Sequence, residues 1–205
     1  MRIRNNKNAK DILNSCKFLI NNPNEYKGDS KKMFGNNNPI HIEIGMGKGS
    51  FLLESALNNP NINYVGIEKY DTIVAIAIEK ITPYELHNLK IIKCDALELS
   101  NIFNKEIDLI YLNFSDPWPK EKHAKRRLTS PIFLNIYDEI FKKEKVIKLK
   151  TDNLNLFNYS IESIIKYGYE IIEQNNDYTS EILTEYEKKF VSEGITINYL
   201  HAIKM

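Results

Sequence analysis

The sequence predicts an α/β fold with a mostly parallel central sheet and helices on both faces, and two patterns predict it. From Ile40 onward, short apolar runs alternate with longer stretches of helical periodicity, and the first run passes directly into a glycine-rich turn. A sheet of this kind gathers its ligands at the carboxyl ends of its strands. The chain has 205 residues, 42% of them hydrophobic, enough for a sizeable core in a single domain.

Residues 1–38 are polar and rich in asparagine. They close on the break Asn36-Asn37-Asn38-Pro39, which predicts a basic N-terminal arm with one short helix near Asp11 to Asn21. The domain proper, 39–205, opens on a strand at Ile40–Ile44, where isoleucine alternates with His41 and Glu43. A helix at Ser50–Asn58 follows the glycines, then a strand at Ile62–Ile67, a helix at Asp71–Ile81 and a strand at Leu89–Lys93. A short helix near Leu97 to Phe103 leads to the apolar strand Ile107–Asn113 and a long polar loop. Pro131 suits the first turn of a helix reaching Phe141, and β-branched residues mark a strand at Val146–Lys150. Thr151, Asp152 and Asn153 are all helix N-cap types and precede a helix at Leu154–Tyr167. A strand at Tyr169–Gln174, a polar connection over 175–194 and a last strand at Thr196–Lys204 complete the pattern.

A net charge of +1 and a pI near 7.7 mean that nucleic-acid binding must come from a local patch. Arginine occurs only at Arg2, Arg4, Arg126 and Arg127 in a lysine-rich chain, which marks both pairs as phosphate-contact candidates. Cys16 and Cys94 lie far apart with no metal-ligand spacing, so reduced thiols, no metal and a cytoplasmic protein are expected. The apolar run after Met1-Arg2-Ile3-Arg4 is short and broken by Asn14, Lys17 and Asn21, against a signal peptide or membrane span.

The loop Asn113-Phe114-Ser115-Asp116-Pro117-Trp118-Pro119-Lys120 runs on into Lys122-His123-Ala124-Lys125-Arg126-Arg127. It joins a carboxylate, the only tryptophan, two prolines and a cationic cluster directly after a buried strand. The prolines bias Asp116 and Trp118 toward extended backbone and predict a stiff loop. Trp118 either fills a gap or stacks on a base. The cations form either a solvated run or a phosphate-binding patch, and His123 alone is no base without a partner.

The strand ends carry acids in register. Glu43 precedes the turn Gly45-Met46-Gly47-Lys48-Gly49, Glu68 ends the second strand and Asp95 follows the third. Such glycines let a ligand approach the backbone, and Glu68 sits where a carboxylate reaches ribose hydroxyls. An acidic ring repels a pyrophosphate and favours the cationic amino and sulfonium groups of S-adenosylmethionine. The glycine spacing also departs from the dinucleotide form, which disfavours a nicotinamide oxidoreductase.

Together, the Glu43 to Gly49 turn, Gly66-Ile67-Glu68, Asp95, the Asp-Pro-Trp-Pro loop with its Lys-Arg-Arg cluster, Lys150-Thr151-Asp152-Asn153 and Thr184-Glu185-Tyr186-Glu187 resemble the bacterial tRNA (guanine-N7-)-methyltransferase family. The resemblance runs almost the length of the chain, with Ser115 standing where many members have proline and the Asn5 to Lys10 arm following only loosely. It implies a Rossmann-like class I methyltransferase with Glu43, Gly45, Gly47, Gly49, Glu68, Asp95 and Asp116 around S-adenosylmethionine, Asp116 being catalytic. It further implies substrate contacts from Lys120, Asp152 and Thr184, Glu185, Tyr186 and Glu187. RNA contacts are implied from Lys122 through Arg127, with guanosine at tRNA position 46 as the target and the protein a monomer or homodimer.

Guanine N7 has a lone pair and no proton, so transfer needs an oriented base more than a strong general base. Asp152 or Glu187 suits the guanine N1–H and amino donors, and Asp116 suits the positive charge that develops on the purine. Two other readings stand beside this one. A nucleic-acid amino-methyltransferase would want a second proline where Trp118 stands, and a catalytically silent RNA-binding module would show eroded glycines or strand-end acids.

Overall fold

The computed structural model describes residues 9–205, apart from the side chain of Glu185; Arg2 and Arg4 lie outside the described residues. Its strands are β1 Ile40–Ile44, β2 Asn63–Glu68, β3 Leu89–Lys93, β4 Ile107–Asn113, β5 Phe141–Thr151, β6 Glu170–Asn175 and β7 Asn198–Lys204. They form one sheet in the order β3-β2-β1-β4-β5-β7-β6. The first five strands are parallel, and β7 runs antiparallel to both β5 and β6. The helices are α1 Ala9–Asn14, α2 Lys31–Phe34, α3 Ser50–Asn58, α4 Asp71–Ile81, α5 Leu99–Ile102, α6 Pro131–Ile140, α7 Leu154–Lys166 and α8 Glu185–Ser192. Among the described residues, no helix is long and apolar enough to cross a membrane.

The strand period of two divides the core. Ile42, Ile44, Ile110, Leu112, Ile147 and Leu149 pack with Leu134, Tyr137, Phe157 and Ile164 of α6 and α7 in one apolar cluster. A second cluster joins Tyr64, Leu89 and Ile91 to Leu52 and Ala56 of α3, Val74 and Ile78 of α4, and Leu13 of α1. Each fully buried side chain of this size contributes ~1.5–3 kcal/mol, so the two clusters fix the sheet between its helical layers.

The arm helix is shorter than predicted, Ala9–Asn14 against Asp11 to Asn21. The apolar residues Phe18, Leu19 and Ile20 that read as a helix face are extended instead and cover the edge of β3. Ile91 N–H donates to Phe18 O at 2.8 Å and Ile20 N–H to Ile91 O at 2.9 Å. Further along, Glu106 accepts from the backbone N–H of Gly28 and Ser30, at 2.9 and 2.8 Å, and so holds the arm to the start of β4.

Other boundaries shift by local chemistry. The stretch read as one helix near Leu97 to Phe103 is a 3-10 turn, Ala96–Glu98, followed by α5. The helix from Pro131 stops at Ile140, and β5 starts at Phe141 without a loop, its exposed charges Lys142 to Glu144 extending the strand ahead of Val146. The polar connection 175–194 contains α8, which begins at the Thr184 to Glu187 capping box.

Candidate active site

Strand order reverses between β1 and β4, and the site grows from that switch point. Glu43 on β1 is 2% exposed and accepts from Asn113 Nδ2 on β4 at 2.8 Å. Its other oxygen, Oε2, is buried with no hydrogen-bond partner among the described residues. Burial pushes the Glu43 carboxyl up to about 8, with Asn113 and Lys150 opposing and the nearby charges of Glu187 and Glu68 adding to the rise.

The turn after β1 is pinned to the tip of β2, where Gly45 and Met46 N–H donate to Ile67 O at 2.9 and 3.0 Å. Gly45 and Gly47 have φ of +78° and +55°, and a Cβ on either would meet open space. That combination leaves a bare backbone cradle beside Glu43. Glu68 closes its far side, accepting from Gly47, Lys69 and Tyr70 N–H at 3.3, 2.8 and 3.1 Å. Burial raises its pKa, and the charge of Asp116 adds a little to the rise. Gly49 packs against Ala77 and Ile81 of α4 and serves the fold. Asp95 caps the 3-10 turn through Leu97 N–H at 3.0 Å and pairs with Lys69 Nζ at 2.6 Å, which lowers its pKa.

Asp116 is exposed, on a loop whose backbone departs from the sequence expectation. Trp118 has φ +42° rather than extended geometry, and Phe114 has φ +50°. Left-handed backbone at non-glycine residues costs ~1–3 kcal/mol each and persists only where the surroundings impose it. Arg127 imposes it at Trp118 by donating to the carbonyls of Pro117 and Trp118, both at 3.1 Å. At Phe114 the ring lies against Tyr186 and Phe190 of α8, with centroids 6.1 and 5.8 Å away. Trp118 therefore packs within the loop, edge-on to His123 at 5.8 Å and under the Arg126 guanidinium at 4.8 Å.

The cationic run folds as a 3-10 turn, Glu121–Arg126. Lys120, Lys122, Lys125 and Arg126 are exposed, whereas His123, Ala124 and Arg127 are partly covered. Arg126 lies near enough to Lys69, the residue after β2, for their like charges to oppose each other.

Beyond β5 the N-cap role falls to Asn153, whose Oδ1 accepts from Leu156 N–H at 2.8 Å. Asp152 is left exposed beside it. Glu187 takes the capping-box position that its spacing from Thr184 allows. It is 1% exposed, and each carboxylate oxygen has two donors: Oε1 receives Lys150 Nζ and Ser180 Oγ at 2.9 and 2.6 Å, and Oε2 receives Lys150 Nζ and Thr184 N–H at 2.8 and 2.7 Å. No capacity remains for a base edge, because the donors that hold α8 occupy both oxygens. Thr184 is buried and accepts from Glu187 N–H, Tyr186 is 59% exposed, and the side chain of Glu185 lies outside the described residues.

Asn113 and Lys150 belong to the site although sequence reasoning gave them no part. Asn113 ends β4, the strand beside β1, and Lys150 lies one residue before the end of β5; the two are direct partners in the β4–β5 register. The signal was available for Asn113: a polar side chain at the last, buried position of a largely apolar strand. Among the described residues, no group of three or more His, Cys, Asp or Glu side chains could hold a metal.

A buried acid at the switch point, a bare glycine turn and a second acid at the β2 tip, on this strand order, define a Rossmann-like methyltransferase. Solved structures agree on the fold. The 16S rRNA methyltransferase KamB superposes with a TM-score of 0.66 at 11% identity, covering 86% of this chain and 92% of that one. An antibiotic-related methyltransferase gives 0.63 at 17% identity, over 86% of this chain and 92% of that one. A family model described as a putative methyltransferase matches residues 37–200. The tRNA (guanine-N(7)-)-methyltransferase of Bacillus cytotoxicus is 47% identical over 98% of this chain and 96% of its own. That of Lachnoclostridium phytofermentans is 44% identical over 100% and 99%. The chain belongs to the tRNA (guanine-N(7)-)-methyltransferase family.

Proposed function

We propose that this protein methylates N7 of a guanine in tRNA, the guanosine at position 46 of the variable loop, using S-adenosylmethionine, and does so in the cytoplasm. The observation that supports the reading most is the set of acids at the strand tips followed, directly after Asp116, by an exposed cationic turn. Glu68 is near enough for its charge to act on Glu43, and Asp116 on Glu68, while Lys120, Lys122, Lys125 and Arg126 stand exposed on the segment that follows Asp116. An acidic crevice suits a cationic methyl donor, and a cationic rim suits folded RNA.

The residues fit the cofactor on two observations. Glu43 Oε2 is buried with no hydrogen-bond partner among the described residues, and the backbone at Gly45 and Gly47 is open where side chains would otherwise stand. Glu43, the glycine turn and Glu68 would hold it, with Asp95 and Asp116 completing the acidic ring. Bound there, S-adenosylmethionine supplies an electrophilic methyl group. The chain's own part is to orient guanine and stabilise charge. Asp152 accepts from the guanine N1–H and amino edge, Asp116 offsets the positive charge developing on the purine, and Lys120 and exposed Tyr186 border the base. Thr184 and Glu187 set the position of α8.

The test is to incubate the purified protein with labelled S-adenosylmethionine and unmodified tRNA and to map the nucleosides. Label in 7-methylguanosine is expected. Label in an N-methylated base would establish the amino-methyltransferase reading, and tRNA binding without any label would establish the silent module.

A further inference from the structure

Arg126 and Arg127 are neighbours in sequence, yet they do different things. Arg126 is exposed, with its guanidinium over the Trp118 ring. Arg127 turns inward: Nε donates to Pro117 O and a terminal nitrogen to Trp118 O, both at 3.1 Å. The flat face of the same guanidinium lies 4.3 Å from the ring centroid of Tyr159 on α7. Its two carbonyl acceptors belong to the residues directly after Asp116, and the second of them holds φ +42° ahead of a proline.

We propose that Arg127 is a positioning residue for methyl transfer, a planar fork that fixes the Asp116-Pro117-Trp118 turn, and that it makes no RNA contact. The proposal rests on the functional reading above in one respect, that Asp116 acts on the base. A turn in left-handed backbone before a proline does not keep its shape unaided. Two convergent N–H groups on a rigid plane supply the missing constraint, and stacking on Tyr159 fixes the plane itself. The platform is rigid because the chain after Arg127 is tied to α7. Thr129 Oγ1 lies 2.8 Å from Ser160 Oγ, and Ser163 Oγ donates to Thr129 O at 2.7 Å. Lysine cannot reproduce this, since a single ammonium neither forks to two carbonyls in one plane nor stacks on a ring.

Trp118 is the only tryptophan, so its fluorescence reports the turn in the protein alone, with neither cofactor nor RNA present. In Arg127→Lys and Arg127→Ala, emission should shift to the red and acrylamide quenching should rise. With unmodified tRNA, the single-turnover rate at saturation should fall ~10- to 100-fold, as a misplaced catalytic group requires. The tRNA dissociation constant and its salt slope should stay as in the wild type. Tyr159→Leu, which removes the stacking ring and keeps Arg127, should move fluorescence and rate in the same direction, and it carries the test if an Arg127 variant fails to fold.

A weaker tRNA affinity with a salt slope shallower by ~0.7–0.9 and an unchanged rate at saturation would make Arg127 a phosphate contact and overturn the proposal. Unchanged Trp118 emission and quenching in all three variants would overturn it as well. If the wild type forms no 7-methylguanosine, the functional reading fails, while the Trp118 signal still reports whether the clamp exists.

Discussion

Lys150 on β5 donates to both carboxylate oxygens of Glu187 on α8, at 2.9 and 2.8 Å, with side-chain exposures of 7% and 1%. The pair fastens α8 across the sheet face that also carries Glu43. Removing one partner leaves a buried charge without compensation, which costs ~3–5 kcal/mol, whereas removing both with apolar residues costs much less. Urea unfolding of Lys150→Met and Glu187→Leu should show losses of that order, and the double variant should lose less than the sum. Additive losses would show that the two groups do not act as a pair.

Glu43 predicts a pH dependence. Its carboxyl stands at about 8 in the folded protein against an ordinary value of 4.5, because burial disfavours the charged form. Between those values the folded state binds more protons than the unfolded chain, so its contribution to stability is complete below about 4.5 and is lost as pH rises through about 8. The urea midpoint of Glu43→Gln, measured relative to wild type from pH 5 to 8.5, should therefore improve steadily as pH rises. Parallel curves across the window would unlink the two. Binding of a cation beside Glu43 should release its proton, which calorimetry in buffers of different ionisation enthalpy would detect near pH 7.

Much of this arrangement was legible in the sequence, and the failures have physical causes. The alternation of Ile40, Ile42 and Ile44 with polar residues fixed β1, and the acids at its tip and at the tip of β2 converge as their register required. Local propensity could not show that Phe18 to Ile20 would leave a helix to cover the edge of β3, because that choice is made by the unpaired N–H and C=O groups of Ile91. Nor could it show that Trp118 would sit at φ +42°, since the partner that imposes this geometry is a side chain nine residues further on. Glu187 carried a substrate role through the family resemblance, and its engagement by Lys150 was not visible, because only the β5–α8 packing brings those two together.

Among the described residues, Asp116 and Asp152 are exposed carboxylates, and they are the ones proposed to act on the base, Glu187 being engaged by Lys150. Asp116→Asn removes the negative charge opposite the forming purinium, and Asp152→Asn turns an acceptor into a mixed donor and acceptor against a guanine edge that offers only donors. Each should lower the single-turnover rate on tRNA by ~100- to 1,000-fold, the range seen when one electrostatic contact is removed at a reacting centre. Asp152→Asn should also weaken discrimination for guanine over adenine in competition. Wild-type rates in both variants would refute the assignment.

The rim separates affinity from chemistry. Lys122, Lys125 and Arg126 are exposed on one short turn beside the crevice, where each can displace a counterion from an RNA phosphate. Arg126→Ala should reduce the slope of log affinity against log salt by ~0.7–0.9, and Lys122→Ala with Lys125→Ala should reduce it further by a similar step for each contact made. The rate at saturating tRNA should change little, because these side chains grip the backbone and do not orient the base. Protein stability should stay within ~0.5 kcal/mol of wild type, as expected for exposed charges. A slope that stays at its wild-type value in the triple variant would place the tRNA on another surface, and a collapse in the saturated rate with the slope intact would make the turn part of the reacting centre instead.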